Sequence, residues 1–219
     1  MRKKAKELLR ELISRKLELK WHVSSFAIFV IDDEMLDLVA EAGCVGVNVA
    51  IESGNPRVLK EIINKPIKDL YAVPKLIEGI KSRNMYVLAN FIIGNPGETW
   101  EEIRETISFA ENCGADYVKF FIAVPLQGTE MYELARKLDA FEHDHLAEIP
   151  RLDWRFSQLK SDEWTSKDVS ILRVYEWDRI NFSPDRIEKT AEIWGVSIEE
   201  LSQIRQDTRR ALQAEAMNS

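Results

Sequence analysis

Cysteine is scarce in this chain of 219 residues. Cys44 and Cys113 are the only two, far apart and in no CxxC-type spacing. Two thiols cannot by themselves ligate a zinc ion or an iron–sulfur cluster. Each reads instead as a buried thiol where a helix hands over to a strand, in EAGCVGV and ENCGADYV. Long apolar runs are lacking too, which excludes a membrane-spanning helix. Positive charge is in deficit: 30 Lys and Arg stand against 37 Asp and Glu, a net charge of −7. That balance argues against a general nucleic-acid surface. No GK[ST] phosphate loop and no GxSxG serine elbow occurs. The first residues, MRKKAKELLRELISRK, are basic, but acidic residues and a helical period interrupt them, so they do not read as a signal peptide. Cytoplasm is the expected compartment.

What is present is alternation. An amphipathic helix over 2–20 carries Leu8, Leu9, Leu12, Ile13 and Leu17 on one face. WHVSSF (21–26), VGVNVAIE (45–52), MYVLANFII (85–93) and DYVKFFIAV (116–124) read as strands. Helices are expected between and after them, over 33–42, 56–63, 69–83, 99–112 and 129–138. Such alternation predicts an α/β fold with about four parallel strands and flanking helices, an open or partial TIM-like (β/α) barrel. From about residue 139 the pattern becomes irregular. A helical tail follows, with helices near 166–180, 184–194 and 198–213, so the expected division is a barrel part over 1–140 and a helical extension over 141–219. Ser183-Pro184 predicts a cap and first-turn proline for the second tail helix, Gly195 its end, and Ser197 with Glu200 a capping box for the third. Four of the six tryptophans (154, 164, 177 and 194) lie in this tail and read as residues that dock it onto the sheet.

The strands are not uniformly apolar. Period-2 geometry sets Gly46, Asn48, Ala50 and Glu52 on one face, and Val45, Val47, Val49 and Ile51 on the other. His22, Ser24, Asn90 and Lys119 add polar groups to the other strands. A small, polar face of this kind suits an interior that holds a polar ligand. At the end of the third strand, FIIGNPGETW places Pro96-Gly97 where a type II turn wants them. Thr99 then caps the next helix with Glu102 as its capping-box partner. Asp32-Asp33-Glu34 reads as a helix start. His143-Asp144-His145 lies in a loop with no third metal ligand assigned.

Three further segments occur in order: AIESGNPRVLKEIINKP after the second strand, FIIGNPGETWEEIRETISFA at the end of the third, and VPLQGTEMYELA at the end of the fourth. Together with DEWTSKDVSILRVYEWDRINF in the tail, they resemble the radical S-adenosylmethionine enzymes, in particular the large, often cobalamin-associated and MiaB-like branch. The resemblance implies a partial barrel that binds S-adenosylmethionine across its strand ends. It implies Glu52 and the adjoining Ser53 near the ribose, Asn90 on the ribose hydroxyls and Lys65 on the methionine carboxylate. Ile92 and the backbone around Ala123–Pro125, including Val124, would lie against the adenine, and Gly94 would join the cofactor-binding set by letting the backbone approach closely. Ala50 stands where that family usually has Gly, Gln127 where it has Pro, and Phe26 where it often has a charged residue.

The resemblance also implies what this sequence does not contain. Radical chemistry in that family uses a [4Fe–4S] cluster on a CxxxCxxC loop after the first strand, and no such motif occurs here. The chain is accordingly expected to be the C-terminal part of such an enzyme core, lacking the first two βα units. It would supply the nucleoside side of the site and be catalytic only with a cluster-bearing half. The alternative is a non-catalytic S-adenosylmethionine-binding or assembly module. Either way the first strand would be an edge, open to that half or to self-association. Cobalamin use is compatible with the resemblance.

Overall fold

The structure, a computed structural model, describes residues 2–26, 31–65, 67, 69–142 and 156–212. Helix α1 (Arg2–Ser14) leads into β1 (Trp21–Phe26), α2 (Asp33–Glu41) and β2 (Cys44–Glu52). A π-helical turn (Val58–Ile62) and a 3-10 turn (Leu70–Ala72) then precede α3 (Val73–Lys81). Next come β3 (Tyr86–Ile93), α4 (Trp100–Asn112), β4 (Tyr117–Ile122) and α5 (Glu130–Lys137). The tail holds α6 (Ser166–Asn181), α7 (Ile187–Trp194) and α8 (Ile198–Ala211). All four strands are parallel, in the order β1-β2-β3-β4. This is the α/β architecture that the alternation predicts.

The two sheet faces divide as the period requires. Val47, Val49, Ile51, Val87, Ala89, Phe91, Ile93 and Val118 are fully buried, packed with Leu36, Val39, Ile77, Ile80 and Ile103 from α2, α3 and α4. Asn48, Ala50, Glu52, Leu88, Asn90, Ile92 and Lys119 are half-buried on the opposite face. Val45 departs from the pattern: it sits at the solvent-exposed start of β2. The core also runs across the expected boundary near residue 140, because Leu159, Trp164, Val169 and Ile180 belong to the same cluster. Phe182, Ala191 and Leu201 make a second, smaller core between α6, α7 and α8.

Several local expectations need correction. The helix expected over 2–20 stops at Ser14, and Lys16 and Glu18 take left-handed conformations that end it. Its apolar stripe is only partly used: Leu9 is buried, while Leu8 and Leu17 are exposed. Leu9 joins the core, and charge adds to it, with Lys6 donating to Asp32 (3.0 Å) and Glu34 (2.6 Å) at the start of α2. Asp32 is indeed the N-cap there, accepting from the Met35 amide at 2.8 Å. Pro184 is not the first residue of α7. Residues 183–186 form a turn, so Arg186 is the N-cap. Gly195 ends that helix in the left-handed region, and the capping boxes at Thr99–Glu102 and Ser197–Glu200 form as expected. A third box, Thr165–Asp168, opens α6. Trp164 and Trp177 dock the tail by hydrogen bonds, and Trp194, though partly exposed, packs on Tyr117 of β4 with ring centroids 5.8 Å apart. Trp154 and His143-Asp144-His145 lie outside the described residues.

The tail docks on the outer edge of β4. Asn181, at the end of α6, accepts from the Val118 amide (2.8 Å) and donates to the Val118 carbonyl (2.9 Å). Tyr117 donates its position to the same joint: its hydroxyl accepts from Trp177 Nε1 at 2.7 Å, and burial pushes its pKa up to about 12. On the other side of the sheet no described strand pairs with the outer edge of β1, as expected for an edge strand.

Candidate functional site

The carboxyl ends of parallel strands are where α/β folds place ligands, and the expected site residues gather there. At the end of β2 the ladder is irregular: Ala50 pairs with Asn90, but Glu52 pairs with Phe91, so two β2 residues oppose one on β3. Glu52 takes a left-handed conformation (φ 75°) at this bulge. Non-glycine residues in that region are held only by surrounding structure, and they cluster at functional sites. The holding group is Lys65. Its ammonium donates to the Ala50 carbonyl (2.6 Å) and to Glu52 Oε1 (2.9 Å). The two residues assigned to separate parts of a ligand thus form one ion pair, with Lys65 14% and Glu52 21% exposed.

Asn90 stands beside that pair across the ladder. Its Oδ1 is buried and accepts no hydrogen bond from any described residue. A buried carbonyl oxygen without a donor is costly, and a ligand hydroxyl would satisfy it. Ile92 lies on the same face one step nearer the strand end. Val124 is half-buried and Pro125 buried in the loop after β4, whose start is tied to β3 by the Ala123 amide donating to the Ile93 carbonyl (3.0 Å).

Two expected site residues have structural occupations instead. Ser53 is fully buried and points to α4, its hydroxyl 2.9 Å from Thr106 Oγ1 and accepting from the Asn55 amide at 3.1 Å. Gly94 (φ 74°) lies under α6, where an added Cβ would come within 2.8 Å of Val169 Cγ1. It is the passage of the tail helix that demands a glycine here. Asn55 and Arg57 were not singled out from sequence, yet they fix the β2 exit loop. Asn55 Oδ1 accepts from the Val58 amide at 2.9 Å. Arg57 donates to both carboxylate oxygens of Glu102 (2.5 and 2.6 Å) and to the Gly97 carbonyl (2.9 Å). That guanidinium holds the Glu102 carboxyl below its usual range. A short-range sequence signal could have flagged only the Asn55 cap; the Arg57 bond spans 45 residues.

The turn at residues 95–98 closes as a type II turn would, with the Glu98 amide donating to the Asn95 carbonyl (3.0 Å) and Gly97 at φ 78°. Its carboxylate does not face solvent. Glu98 is 1% exposed, and Oε2 accepts from the Asn95 amide (2.8 Å) and Asn95 Nδ2 (3.0 Å). Burial raises its pKa to about 7. Trp164 Nε1 donates to the Glu98 carbonyl at 2.9 Å, which fastens the tail to the turn.

The donor set on this face fits a ligand with hydroxyl, amine and carboxylate groups. It does not fit an iron–sulfur cluster. Cys44 opens β2 and Cys113 precedes β4, both at the opposite end of the strands. Both thiols are buried, and desolvation pushes their pKa values up, the reverse of what a thiolate ligand needs. Among the described residues no group of three or more His, Cys, Asp or Glu could hold a metal ion.

The chain is 40% identical over 134 residues to cytidylyl-2-hydroxyethylphosphonate methyltransferase of Streptomyces wedmorensis, covering 58% of this chain and 24% of that protein. It is 34% identical over 134 residues to an uncharacterized methyltransferase of Pyrococcus horikoshii, covering 61% of this chain and 28% of that one. The chain therefore spans only a quarter or so of these relatives' length. Among solved structures, it matches the radical S-adenosylmethionine methyltransferase TsrM of Kitasatospora setae, a structure with cobalamin and a [4Fe–4S] cluster bound. There the TM-score is 0.50 at 26% identity, over 55% of this chain and 23% of that one. It shares its fold with the radical SAM enzyme coproporphyrinogen III oxidase (HemN) of Escherichia coli, at a TM-score of 0.55 and 14% identity over 80% of this chain and 36% of that one. The model of the Radical SAM superfamily matches residues 1–110, and the chain belongs to that superfamily.

Proposed function

We propose that this chain supplies the nucleoside side of an S-adenosylmethionine site in a larger radical enzyme of the methyltransferase or MiaB-like kind. The observation that carries the reading is the buried, unsatisfied Asn90 Oδ1 beside the Glu52–Lys65 pair, on the open polar face at the strand ends. Asn90 Oδ1 would accept from a ribose hydroxyl, Glu52 would accept a second one, and Lys65 would meet the ligand carboxylate by turning from Glu52. Ile92 and the Val124–Pro125 loop would form the apolar wall for adenine. When bound, the ligand supplies a sulfonium whose reductive cleavage gives 5′-deoxyadenosyl radical chemistry. The residues here bind and orient it. Neither cysteine can hold the cluster that such chemistry uses, so cysteines outside these 219 residues would provide it. The methyltransferase names of the relatives and the cobalamin in the TsrM structure support cobalamin as a second cofactor of the assembled enzyme.

The open edge of β1 is the place where the cluster-bearing part would join, by adding a strand to the sheet. The absence of cluster ligands also favours a second reading, a binding or assembly module without catalysis. Calorimetric titration with S-adenosylmethionine tests the shared premise. Binding that Glu52→Ala and Asn90→Ala each weaken at least about tenfold, a loss of about 1.4 kcal/mol, supports the site. Equal affinity in both variants would remove it. Reconstitution with a CxxxCxxC-bearing segment then separates the two readings by whether 5′-deoxyadenosine is released.

A further inference from the structure

The nucleoside site accounts for Asn90 and everything from it toward β2. It leaves Lys119 unused. The ladder sets Ala50, Asn90 and Lys119 in one row across β2, β3 and β4. The row above it is Ile92 and Phe121, and the row below is Leu88 and Tyr117. Lys119 is therefore a half-buried lysine on the ligand face with apolar residues on either side along the strand. Phe121, two residues on, exposes 48% of its surface on the same face.

Two other half-buried lysines carry counter-ions. Lys6 is paired with Asp32 and Glu34, and Lys65 with Glu52. No described residue makes an ion pair or a hydrogen bond with the ammonium of Lys119. Partial burial of a cation without a counter-ion is unfavourable, and this chain, at −7, has no shortage of carboxylates to supply one. The neighbouring cation, Lys65, is already neutralised by Glu52. Among the described residues, Lys119 thus leaves the face with a positive charge that has no counter-ion, one strand away from the nucleoside site.

We propose that Lys119 is a substrate-anchoring residue that binds an oxyanion, a phosphate, phosphonate or carboxylate group, of the molecule on which the enzyme acts. The inference rests on the nucleoside reading for its placement, since it takes the side of Asn90 that the cofactor leaves free. Its chemistry is independent of that reading. Phe121 offers the apolar surface against which the rest of such a substrate packs. A hydrogen bond to a charged group contributes roughly 1.5–3 kcal/mol, so loss of the ammonium weakens binding about tenfold or more.

The test uses the full chain, labelled with 15N, and records amide spectra during titration with inorganic phosphate and, separately, acetate at fixed ionic strength. The expected result is a saturable shift of the amides of residues 118–121 and of the Asn90 side-chain amide. Lys119→Met should weaken it at least about tenfold, and Lys119→Arg should preserve it, both with the dispersed spectrum of a folded chain. Response to phosphate alone points to a phosphorylated or phosphonylated substrate, and response to acetate alone to a carboxylic acid; either supports the site. No saturable shift at these residues with either anion, or the same titration in Lys119→Met, overturns it. S-adenosylmethionine added to the same samples reads out at Glu52 and Ile92. An anion response without that one would remove the nucleoside reading and leave the oxyanion site standing.

Discussion

Asn181 completes the hydrogen bonding of Val118 with one side chain. Its amide group accepts from the Val118 N–H at 2.8 Å and donates to the Val118 carbonyl at 2.9 Å, across 63 residues of sequence. A third bond, from Nδ2 to the Trp177 carbonyl (2.8 Å), fixes the rotamer. The side chain stands where a fifth strand would otherwise present its backbone.

Asn181→Ala should leave a buried N–H and C=O unpaired and lower stability by roughly 2–4 kcal/mol. Asn181→Asp keeps the acceptor but replaces a donor with an anion against a carbonyl, so it should be no better. Chemical denaturation of the three proteins checks both, and equal midpoints would show that the edge is satisfied some other way.

Gly94→Ala should be destabilising by roughly 1–3 kcal/mol, because φ 74° and a 2.8 Å approach to Val169 Cγ1 both oppose a Cβ. Adding Val169→Ala removes the clash and leaves the backbone cost. A double-mutant cycle should therefore give a favourable coupling between the two sites. Strict additivity would mean that α6 does not press on this turn.

The fold is largely legible in the sequence, since strand and helix boundaries follow from local periodicity and caps. Thr99–Glu102 and Ser197–Glu200 are bonds three residues apart, written in adjacent sequence. The site was legible only in part. Glu52, Asn90 and Ile92 share a face because the strand period says so. That Lys65 folds back on Glu52, or that Ser53 turns into α4, depends on contacts 13 and 53 residues apart that no local pattern encodes. The bulge that pushes Glu52 into the left-handed region is likewise a property of two strands together. Gly94 and Asn181 teach the same point from the tail, where long-range packing decides what a motif residue is for.

Glu98 should make stability fall as the solution becomes less acid. Burial raises its pKa from 4.5 to about 7, with the nearby Glu102 carboxylate adding to the rise and the Asn95 bonds opposing it. The folded state then holds a proton that the unfolded chain has released between these two values. The contribution is fully present below pH 4.5 and is lost as pH rises through about 7. The window corresponds to roughly 3 kcal/mol. Glu98→Gln retains an accepting oxygen and cannot ionise, so the variant should gain on the wild type across this window. Urea midpoints at pH 5, 6, 7 and 8 check it, and a constant difference would show that Glu98 ionises normally.

Asp178 should behave in the opposite sense. It is 4% exposed, and desolvation alone would raise its pKa. Arg205 (2.6 Å to each oxygen) and Arg209 (3.0 and 2.5 Å) outweigh that and hold it below its ordinary value. Its contribution is present above the unfolded pKa and is lost only as pH falls through the lower folded one. Asp178→Asn should leave two arginines facing a neutral amide and cost roughly 3 kcal/mol. The loss should centre on α8, detected as faster proteolysis between 198 and 212 with the strands still protected from hydrogen exchange. Uniform loss of protection would mean that α8 and the sheet unfold as one.

The contrast between the two borders of the sheet sets a limit on stoichiometry. Val118 on the β4 border is already served by Asn181, while no described strand pairs with the outer border of β1. A molecule with two such borders could link to neighbours on both sides and propagate as a filament. With one, a β-edge contact would use up the valence of each participant, and any such assembly would stop at two members, whether the second is another copy or a different chain. Should copies or partners add to this sheet, the helical tail would act as a chain terminator on the β4 side, where Asn181 already occupies Val118.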